Sequence, residues 1–302
     1  MSKSKKAVSR IGLSCALSTP FTSQDMIDLP AFSEHARWTL ANGCDGVTVF
    51  GTTGEGASVS TKERITTMSY FAGAGFDMNT VTLGVAACTT QEVIDQCKVA
   101  YEANCRAILL APPFYFSSAD DAGLFRWYSA VFEGLGGQLR DIILYHIPSM
   151  TRVGISPNLV AKLKKAYPKA IIGVKDSSGS AENTATLLAD HGDLQILVGD
   201  ERQLANAVKH GAAGSICGLA NLCPKELRPL AVEGKDNAKI HKAVDAVLVY
   251  AFMPAIKALL AHRTGYKGWQ RMRPPLGDMS AAQSRKLVTA FDLIFPPSKK
   301  SK

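Results

Sequence analysis

Eight short apolar or β-branched runs recur along the chain, each closed by small or polar turn residues. The runs are GLSCAL (12–17), GVTVF (46–50), TVTLGV (80–85), AILLA (107–111), DIILY (141–145), AIIGVK (170–175), LQILVG (194–199) and GSICG (214–218). Short runs of this kind, bounded by turn residues, predict β-strands. Their number and regular recurrence constrain the fold more than any other feature of the sequence.

The segments between these runs have helix-like spacing of apolar residues, and several begin on Ser, Thr or Asp and end on Gly or Pro. Those are the residues expected at helix caps. Strands that alternate with helices imply parallel pairing through right-handed crossovers. Eight such units predict an α/β fold, a closed TIM (β/α)8 barrel. An open doubly wound sheet is the competing arrangement, but the GTTGEG loop matches neither glycine-rich nucleotide-binding motif.

The strand signal stops after about residue 223. CPKELRPLAVEG, DNAKIHKAVDAVLVYAFMPAIKALLAHRTG and SAAQSRKLVTAFDLIF each read as one helix. We therefore expect a barrel over residues 11–222 and a C-terminal three-helix appendage over 223–295. A basic disordered tail at 1–10 and a basic tail at 296–302 complete the predicted organisation.

The formal charge of +8 does not indicate a nucleic-acid partner, because most of it lies at the two ends of the chain. The basic end residues are Lys3, Lys5, Lys6, Arg10, Lys299, Lys300 and Lys302. Without them the folded body is close to neutral. The chain also has no basic stripe interleaved with aromatic residues, which single-strand binders use.

No apolar run approaches the ~18–20 residues that span a bilayer, and no secretory signal pattern follows the basic N-terminus. The seven cysteines are an odd number without a C-x-x-C pair, and the six histidines do not cluster with them. This spacing argues against a disulfide framework and a zinc site. We expect a cytoplasmic protein with free thiols, no membrane partner and no metal.

Reactive side chains stand where several predicted strands end, and the active site of a (β/α)8 barrel lies at those ends. Lys175 would project into a mouth walled by aliphatic residues, where desolvation disfavours the ammonium form and a free amine can attack a ketone. The resulting iminium is an electron sink that requires no cofactor.

Two other strand ends carry groups that suit this chemistry. The phenol of Tyr145 could relay protons to the carbinolamine. Gly51 and its neighbours would let backbone N–H groups and the hydroxyls of Thr52 and Thr53 hold a carboxylate. Asp176 and Glu55 are expected to cap helices or brace loops.

The combined motifs resemble the dihydrodipicolinate synthase / N-acetylneuraminate lyase family of class I, Schiff-base-forming lyases. The matching segments are FGTTGE (50–55), PPFY (112–115), YHIP (145–148), GVKDSSG (173–179), GDE (199–201), GSICGLAN (214–221) and MPAIKALLAHRTG (253–265). The resemblance covers about residues 10–290 and implies the same barrel.

The resemblance also implies roles for individual residues. Lys175 would form the Schiff base with pyruvate, Tyr145 would transfer protons, and Thr52 and Thr53 would hold the carboxylate. Tyr115 matches a tyrosine that family members lend to a neighbouring active site, and the backbones of Gly199 and Ile216 match the pyruvate pocket. The resemblance further implies a homotetramer, a dimer of dimers, whose other partner is an aldehyde or a sugar acid.

One departure from the family pattern bears on the second substrate. Met150 stands where true dihydrodipicolinate synthases carry an arginine that holds the aldehyde's carboxylate, and methionine offers no charge or donor for such a clamp. Arg152 could replace the arginine only if the loop runs differently. His146 stands in place of the usual asparagine and would reach a substrate hydroxyl or simply pack.

Three functions therefore stay open. The first is an aldolase or dehydratase that acts on a 2-keto-3-deoxy sugar acid or a related hydroxy-2-oxo acid. The second is a genuine 4-hydroxy-tetrahydrodipicolinate synthase, which condenses pyruvate with aspartate semialdehyde. The third is a non-catalytic ligand-binding barrel. A deaminase acting on a cyclic imino acid is a further possibility within the family.

Overall fold

The strands close into a parallel barrel in chain order, with the first strand paired to the last. The structure is a computed structural model that describes residues 10–296. Its strands are β1 (Gly12–Ala16), β2 (Gly46–Val49), β3 (Val81–Val85), β4 (Ala107–Leu110), β5 (Ile142–His146), β6 (Ile171–Asp176), β7 (Gln195–Val198) and β8 (Gly214–Cys217). Every predicted run overlaps one of these strands, β5 and β6 each extending one residue further, and the predicted TIM-barrel fold is confirmed.

The helices lie outside the strands and follow them in alternation. They are α1 (Leu29–Ala41), α2 (Thr61–Gly73), α3 (Thr90–Glu102), α4 (Asp121–Leu135), α5 (Pro148–Thr151), α6 (Pro157–Ala166), α7 (Ala181–His191), α8 (Glu201–Lys209), α9 (Pro224–Glu233), α10 (Ala238–Leu248), α11 (Phe252–Thr264) and α12 (Ala281–Ile294). Side-chain oxygens cap many of them as the sequence predicts. In α2, for example, Ser60 and Glu63 form a reciprocal capping box.

Apolar residues of the barrel form two separate clusters. The larger one fills the space between the strands and the surrounding helices. The smaller one lies inside the barrel and contains Leu109, Ile143, Tyr145, Leu197 and Ile216. The barrel interior is therefore a packed core, and Tyr145 belongs to it while standing near the carboxyl end of β5.

The C-terminal helices differ in detail from the prediction. The segment after residue 223 forms α9, which packs against α8 and β1 and so acts as the eighth helix of the barrel. The long second helix is broken into α10 and α11, which are bent by 114°. Pro254 explains the break, because its ring would clash with the carbonyl of residue 250 in a continuous helix. The appendage thus consists of α10, α11 and α12.

Between residues 10 and 296, no single helix is long and apolar enough to cross a membrane. Only α10 and α11 taken together reach that length and composition, and the bend separates them.

The two predicted tails lie almost entirely outside the described residues. Arg10, which was assigned to the first tail, is instead bound to the barrel. Its Nε donates to the carbonyl of Ala213 over 2.9 Å, and its Nη2 donates to that of Ala212 over 2.8 Å. Arg10 therefore belongs to the folded body, because its guanidinium satisfies carbonyls beside β8.

Candidate active site

The loop after β2 is folded so that two threonines stand at the mouth of the barrel. The amides of Gly54 and Gly56 both donate to the carbonyl of Gly51 over 3.1 Å, which makes the loop a compact turn. A Cβ at Gly56 would overlap the carbonyl of Phe50, so only glycine fits this close backbone approach. The side chain of Thr52 is half-buried, and Thr53 is buried.

Lys175, Tyr145 and Thr52 form a continuous hydrogen-bonded chain. The Nζ of Lys175 donates to the Oη of Tyr145 over 3.2 Å, and this Oη lies 3.1 Å from the Oγ1 of Thr52. Tyr145 and Lys175 are direct neighbours in the register of β5 and β6, which explains their contact. Lys175 is 5% exposed and Tyr145 4%. The amine is thus nearly dry and adjacent to a group that can carry a proton.

A cavity of about 320 Å³ opens beside this chain of residues. Gly51, Thr52 and Tyr145 contribute to its wall, as does Met150. Lys175, Thr53, Gly199 and Ile216 are not among its lining residues. Lys175 instead connects to the cavity through its hydrogen bond to Tyr145.

Gly199 and Ile216 lie at the ends of the two strands that follow β6. The amide of Gly199 donates to the carbonyl of Asp176 over 2.7 Å, and a Cβ there would overlap the Oγ of Ser177. The side chain of Ile216 is fully buried inside the barrel in the cluster that contains Tyr145. Both residues therefore shape the surroundings of Lys175 and Tyr145.

The structure leaves Tyr115 outside this arrangement. Its side chain is 78% exposed on the loop after β4, where its ring contacts that of Phe116 edge to face. It does not join the hydrogen-bonded chain of Lys175, Tyr145 and Thr52.

Met150 lies on the one-turn helix α5 and is 52% exposed at the edge of the cavity. Arg152, two residues later, has an exposed side chain and a left-handed backbone with φ of 58°. It does not line the cavity.

His146 is buried and braces the loop after β5. Its Nδ1 accepts a hydrogen bond from the amide of Ile155 over 2.9 Å. Burial lowers the pKa of His146, against a smaller opposing effect of the charge on Asp176. Through Nδ1, this histidine holds the backbone of the loop that follows β5.

Asp176 braces a loop, as the sequence indicates. Its carboxylate accepts from the amide of Ser178 over 2.9 Å and from the Oγ1 of Thr184 over 2.7 Å. It thereby fixes the turn between β6 and α7.

The C-terminal appendage supplies part of the cavity wall, which sequence reasoning missed. Met253, at the start of α11, lines the cavity together with Pro275 and Leu276. These side chains lie more than a hundred residues beyond Tyr145 in the sequence. The position at which such an appended segment docks on the barrel does not show as a periodic pattern in the sequence.

A second missed feature is a buried ion pair behind the cavity. Glu55, which lines the cavity, pairs with Lys257 of α11 at 2.5 Å, and neither side chain is exposed. The other carboxylate oxygen of Glu55 accepts from the amide of Arg273 over 2.9 Å. Burial lowers the pKa of Lys257, whereas the charge of Glu55 opposes that shift. The sequence signal for this ion pair was the lone lysine, Lys257, in the apolar stretch MPAIKALL.

Three or more His, Cys, Asp or Glu side chains do not converge on a potential metal position anywhere within residues 10–296. The groups that converge at the barrel mouth are instead an amine, a phenol and a hydroxyl. Together they suit addition to a carbonyl followed by proton transfer.

The chain is similar to known proteins over most of its length. The model of the dihydrodipicolinate synthetase family matches residues 9–292. The crystal structure of dihydrodipicolinate synthase from Agrobacterium tumefaciens is 46% identical, with a TM-score of 0.93, and the match covers 94% of this chain and 99% of that one.

Two curated relatives support the same assignment. An uncharacterized DapA-like lyase of Chloroflexus aurantiacus is 30% identical over 94% of this chain and 96% of its own length. A 4-hydroxy-tetrahydrodipicolinate synthase of Acidithiobacillus ferrooxidans is 35% identical over 71% of this chain and 72% of its own. The chain belongs to the dihydrodipicolinate synthase family.

Proposed function

We propose that the protein is a pyruvate-dependent lyase that works through a Schiff base on Lys175. The observation that carries this proposal is the hydrogen-bonded chain from the buried Nζ of Lys175 through the Oη of Tyr145 to the Oγ1 of Thr52. A desolvated amine next to a proton carrier is suited to nucleophilic addition to a ketone.

The proposed chemistry begins with attack of the Lys175 amine on the keto carbon of a 2-oxo acid. Tyr145 returns a proton to the carbinolamine oxygen, which leaves as water and gives an iminium. In cleavage, the oxygen of Tyr145 takes the proton of the C4 hydroxyl, the C3–C4 bond breaks to release an aldehyde, and its electron pair forms an enamine. Protonation at C3 and addition of water then release pyruvate and the free amine. Elimination of a hydroxyl as water would use the same iminium.

The second substrate that we propose is a hydroxylated 2-oxo acid, such as a 2-keto-3-deoxy sugar acid, on which the enzyme acts as aldolase or dehydratase. The support is Met150, which lines the cavity at the position where the resemblance expects an arginine. Arg152 is exposed and outside the lining, so it gives no ready replacement for that carboxylate clamp.

The alternative is a 4-hydroxy-tetrahydrodipicolinate synthase. The name of the Agrobacterium structure, at 46% identity, favours it, as does the name of the Acidithiobacillus relative. Against it stands the uncharged Met150 side chain. Turnover of aspartate semialdehyde with pyruvate at a rate well above that of any hydroxy-2-oxo acid would establish the alternative.

The proposal includes a homotetramer in which Tyr115 enters the active site of a second copy. Tyr115 and Phe116 are 78% and 72% exposed, and large exposed aromatic side chains are typical of interfaces. The proposed compartment is the cytoplasm, where the chain's seven free cysteines would stay reduced.

Proton exchange on pyruvate tests the lysine chemistry without knowledge of the second substrate. An enamine on Lys175 would exchange the methyl protons of pyruvate with solvent, so NMR in D2O should show deuterium entering the methyl group. Lys175→Ala should abolish the exchange while keeping the wild-type circular dichroism spectrum. Absence of exchange in the wild-type protein would overturn the proposal.

A further inference from the structure

Most of the side chains that line the cavity beside Tyr145 are apolar. Aliphatic, aromatic and thioether side chains from five parts of the fold meet there. They are Phe50, Val85, Ala86, Leu109, Ala111, Phe114, Ile147, Met150, Met253, Pro275 and Leu276. A concave surface of this kind favours an apolar occupant, because its burial removes apolar area from water.

The polar side chains in the wall have few free hydrogen-bonding groups. Glu55 uses one carboxylate oxygen on Lys257 and the other on the amide of Arg273. The Oγ1 of Thr151 donates to the carbonyls of Ile147 and Val153. Apart from Thr52 and Tyr145, Ser58 is the described lining residue whose hydroxyl is still available to a ligand.

The charges around the cavity also favour an apolar occupant. Within the described chain, Glu55 is the single charged side chain in the lining, and Lys257 neutralises it. A substrate carboxylate at this end would meet no cation. A polyhydroxylated chain would lose hydrogen bonds to water and find few replacements, which disfavours its burial.

The size of the cavity fits a substantial group. A cavity of about 150 Å³ can hold benzene, and this one measures about 320 Å³. It therefore has room for a branched aliphatic or aromatic substituent next to the reacting carbons at Tyr145.

We propose that the second substrate carries an uncharged, apolar group at the end remote from Lys175. The substrate class is a 4-hydroxy-2-oxo acid with an apolar substituent on C4, the aldol adduct of pyruvate and an apolar aldehyde. This inference rests on the proposed function and places such acids ahead of the polyhydroxylated sugar acids. The cavity formed by Phe114, Met150, Met253 and Leu276 is where the substituent binds.

Competing aldehydes in the condensation direction test this inference. The wild-type protein is incubated with pyruvate and, in turn, benzaldehyde, propanal, glyceraldehyde or aspartate semialdehyde, and kcat/KM is measured for each. Propanal and glyceraldehyde have the same carbon chain and differ by two hydroxyls. We expect kcat/KM to be higher for propanal than for glyceraldehyde, and for benzaldehyde to exceed glyceraldehyde about tenfold or more.

The methyl-proton exchange of pyruvate separates the two ways in which this test can fail. If the exchange occurs but glyceraldehyde or aspartate semialdehyde is the best substrate, the apolar assignment is overturned and the Schiff-base function stands. If the exchange itself is absent, the proposed function is overturned as well.

A charge placed in the wall gives a second test. Met150→Arg puts a guanidinium at the edge of the cavity, where it can hold a carboxylate. The ratio of kcat/KM for aspartate semialdehyde to that for benzaldehyde should rise about tenfold or more. Met26→Arg is the matched control, because Met26 is exposed and outside the lining. Equal ratios in the two variants would overturn the assignment of Met150 to the substrate's remote end.

Discussion

Glu55 and Lys257 form a fully buried ion pair that joins two distant parts of the chain. Glu55 belongs to the loop after β2 that presents Thr52, whereas Lys257 lies on α11 of the C-terminal appendage. Lys257 also donates to the carbonyl of Arg271 and lies 4.4 Å from the centre of the Phe21 ring. The appendage therefore contributes to the candidate active site both by lining the cavity and by holding the loop that presents Thr52.

Removing one partner of this pair should destabilise the protein strongly. Lys257→Met leaves the Glu55 carboxylate buried without its counter-charge, which typically costs about 3–5 kcal/mol. The double variant Glu55→Gln with Lys257→Met should cost less than the Lys257→Met single variant, because no uncompensated charge remains. The free energies of unfolding from urea titrations check this. A double variant as unstable as the sum of the two single variants would contradict the account.

The phenol of Tyr145 should matter for catalysis rather than for folding. Tyr145→Phe removes the oxygen that joins Lys175 to Thr52, and loss of a positioned proton carrier typically lowers kcat about 10²- to 10⁴-fold. Tyr128→Phe is the control, because Tyr128 is buried on α4 and its Oη has no hydrogen-bond partner in the described structure. The rates of pyruvate methyl exchange in both variants check the prediction. Similar rates would show that the Tyr145 hydroxyl is not the proton carrier.

The conformation of the loop that carries Met150 should depend on the hydrogen bond that His146 accepts from the amide of Ile155. His146→Ala deprives the buried amide of Ile155 of its acceptor, and a buried donor left unpaired costs about 1–3 kcal/mol. Because this loop lines the cavity, we also expect a higher KM for the second substrate. His241→Ala, which removes a half-exposed partner of Asp236, is the matched control. Thermal unfolding and KM measurements that do not distinguish the two variants would rule out the bracing role.

His35 should make the fold sensitive to acid. It is buried beside Trp38 and Trp269, and its Nε2 lies 3.0 Å from the Oδ1 of Asn221. Burial lowers the pKa of His35 from its ordinary value of 6.5 to about 4, although the hydrogen bond to Asn221 opposes this shift. Between these two pH values the unfolded chain binds a proton that the folded protein excludes, so stability falls as the pH falls.

The size of that effect follows from the shift in the pKa of His35. Stability is fully present above about pH 6.5 and drops by roughly 3 kcal/mol by about pH 4. His35→Gln should lose less stability than the wild type over this interval, whereas His210→Gln, at an exposed position, should behave like the wild type. Urea unfolding at both pH values checks this. Parallel losses in all three proteins would mean that His35 does not titrate on unfolding.

The barrel could be predicted because each strand is a short apolar run that turn residues bound on both sides. The break between α10 and α11 was missed, because LVYAFMPA is apolar throughout and reads as one continuous helix. Its signal was Pro254, which disrupts the preceding turn of a helix. Arg10 was assigned to a tail on charge alone, and only the fold shows that the carbonyls of Ala212 and Ala213 accept its hydrogen bonds.

The residues of the candidate site that lie near strand ends could be predicted from the sequence. Lys175 and Tyr145 each lie one residue before the end of neighbouring strands, so the barrel topology alone places them together. Met253, Pro275 and Leu276 could not be found in this way, because no local pattern says where an appended segment docks. The sequence favoured sugar acids because Met150 stands in place of the clamp arginine. Our proposal of an apolar substituent rests instead on the cavity wall, to which these three residues contribute.

Borohydride reduction in the presence of pyruvate tests whether Lys175 forms a Schiff base. Reduction converts a Schiff base into a stable secondary amine, which peptide mapping by mass spectrometry locates. We expect one reduced pyruvate on Lys175 and none on Lys257, which is also buried but paired with Glu55. Protein that gains no mass, or that carries the adduct on another lysine, would contradict it.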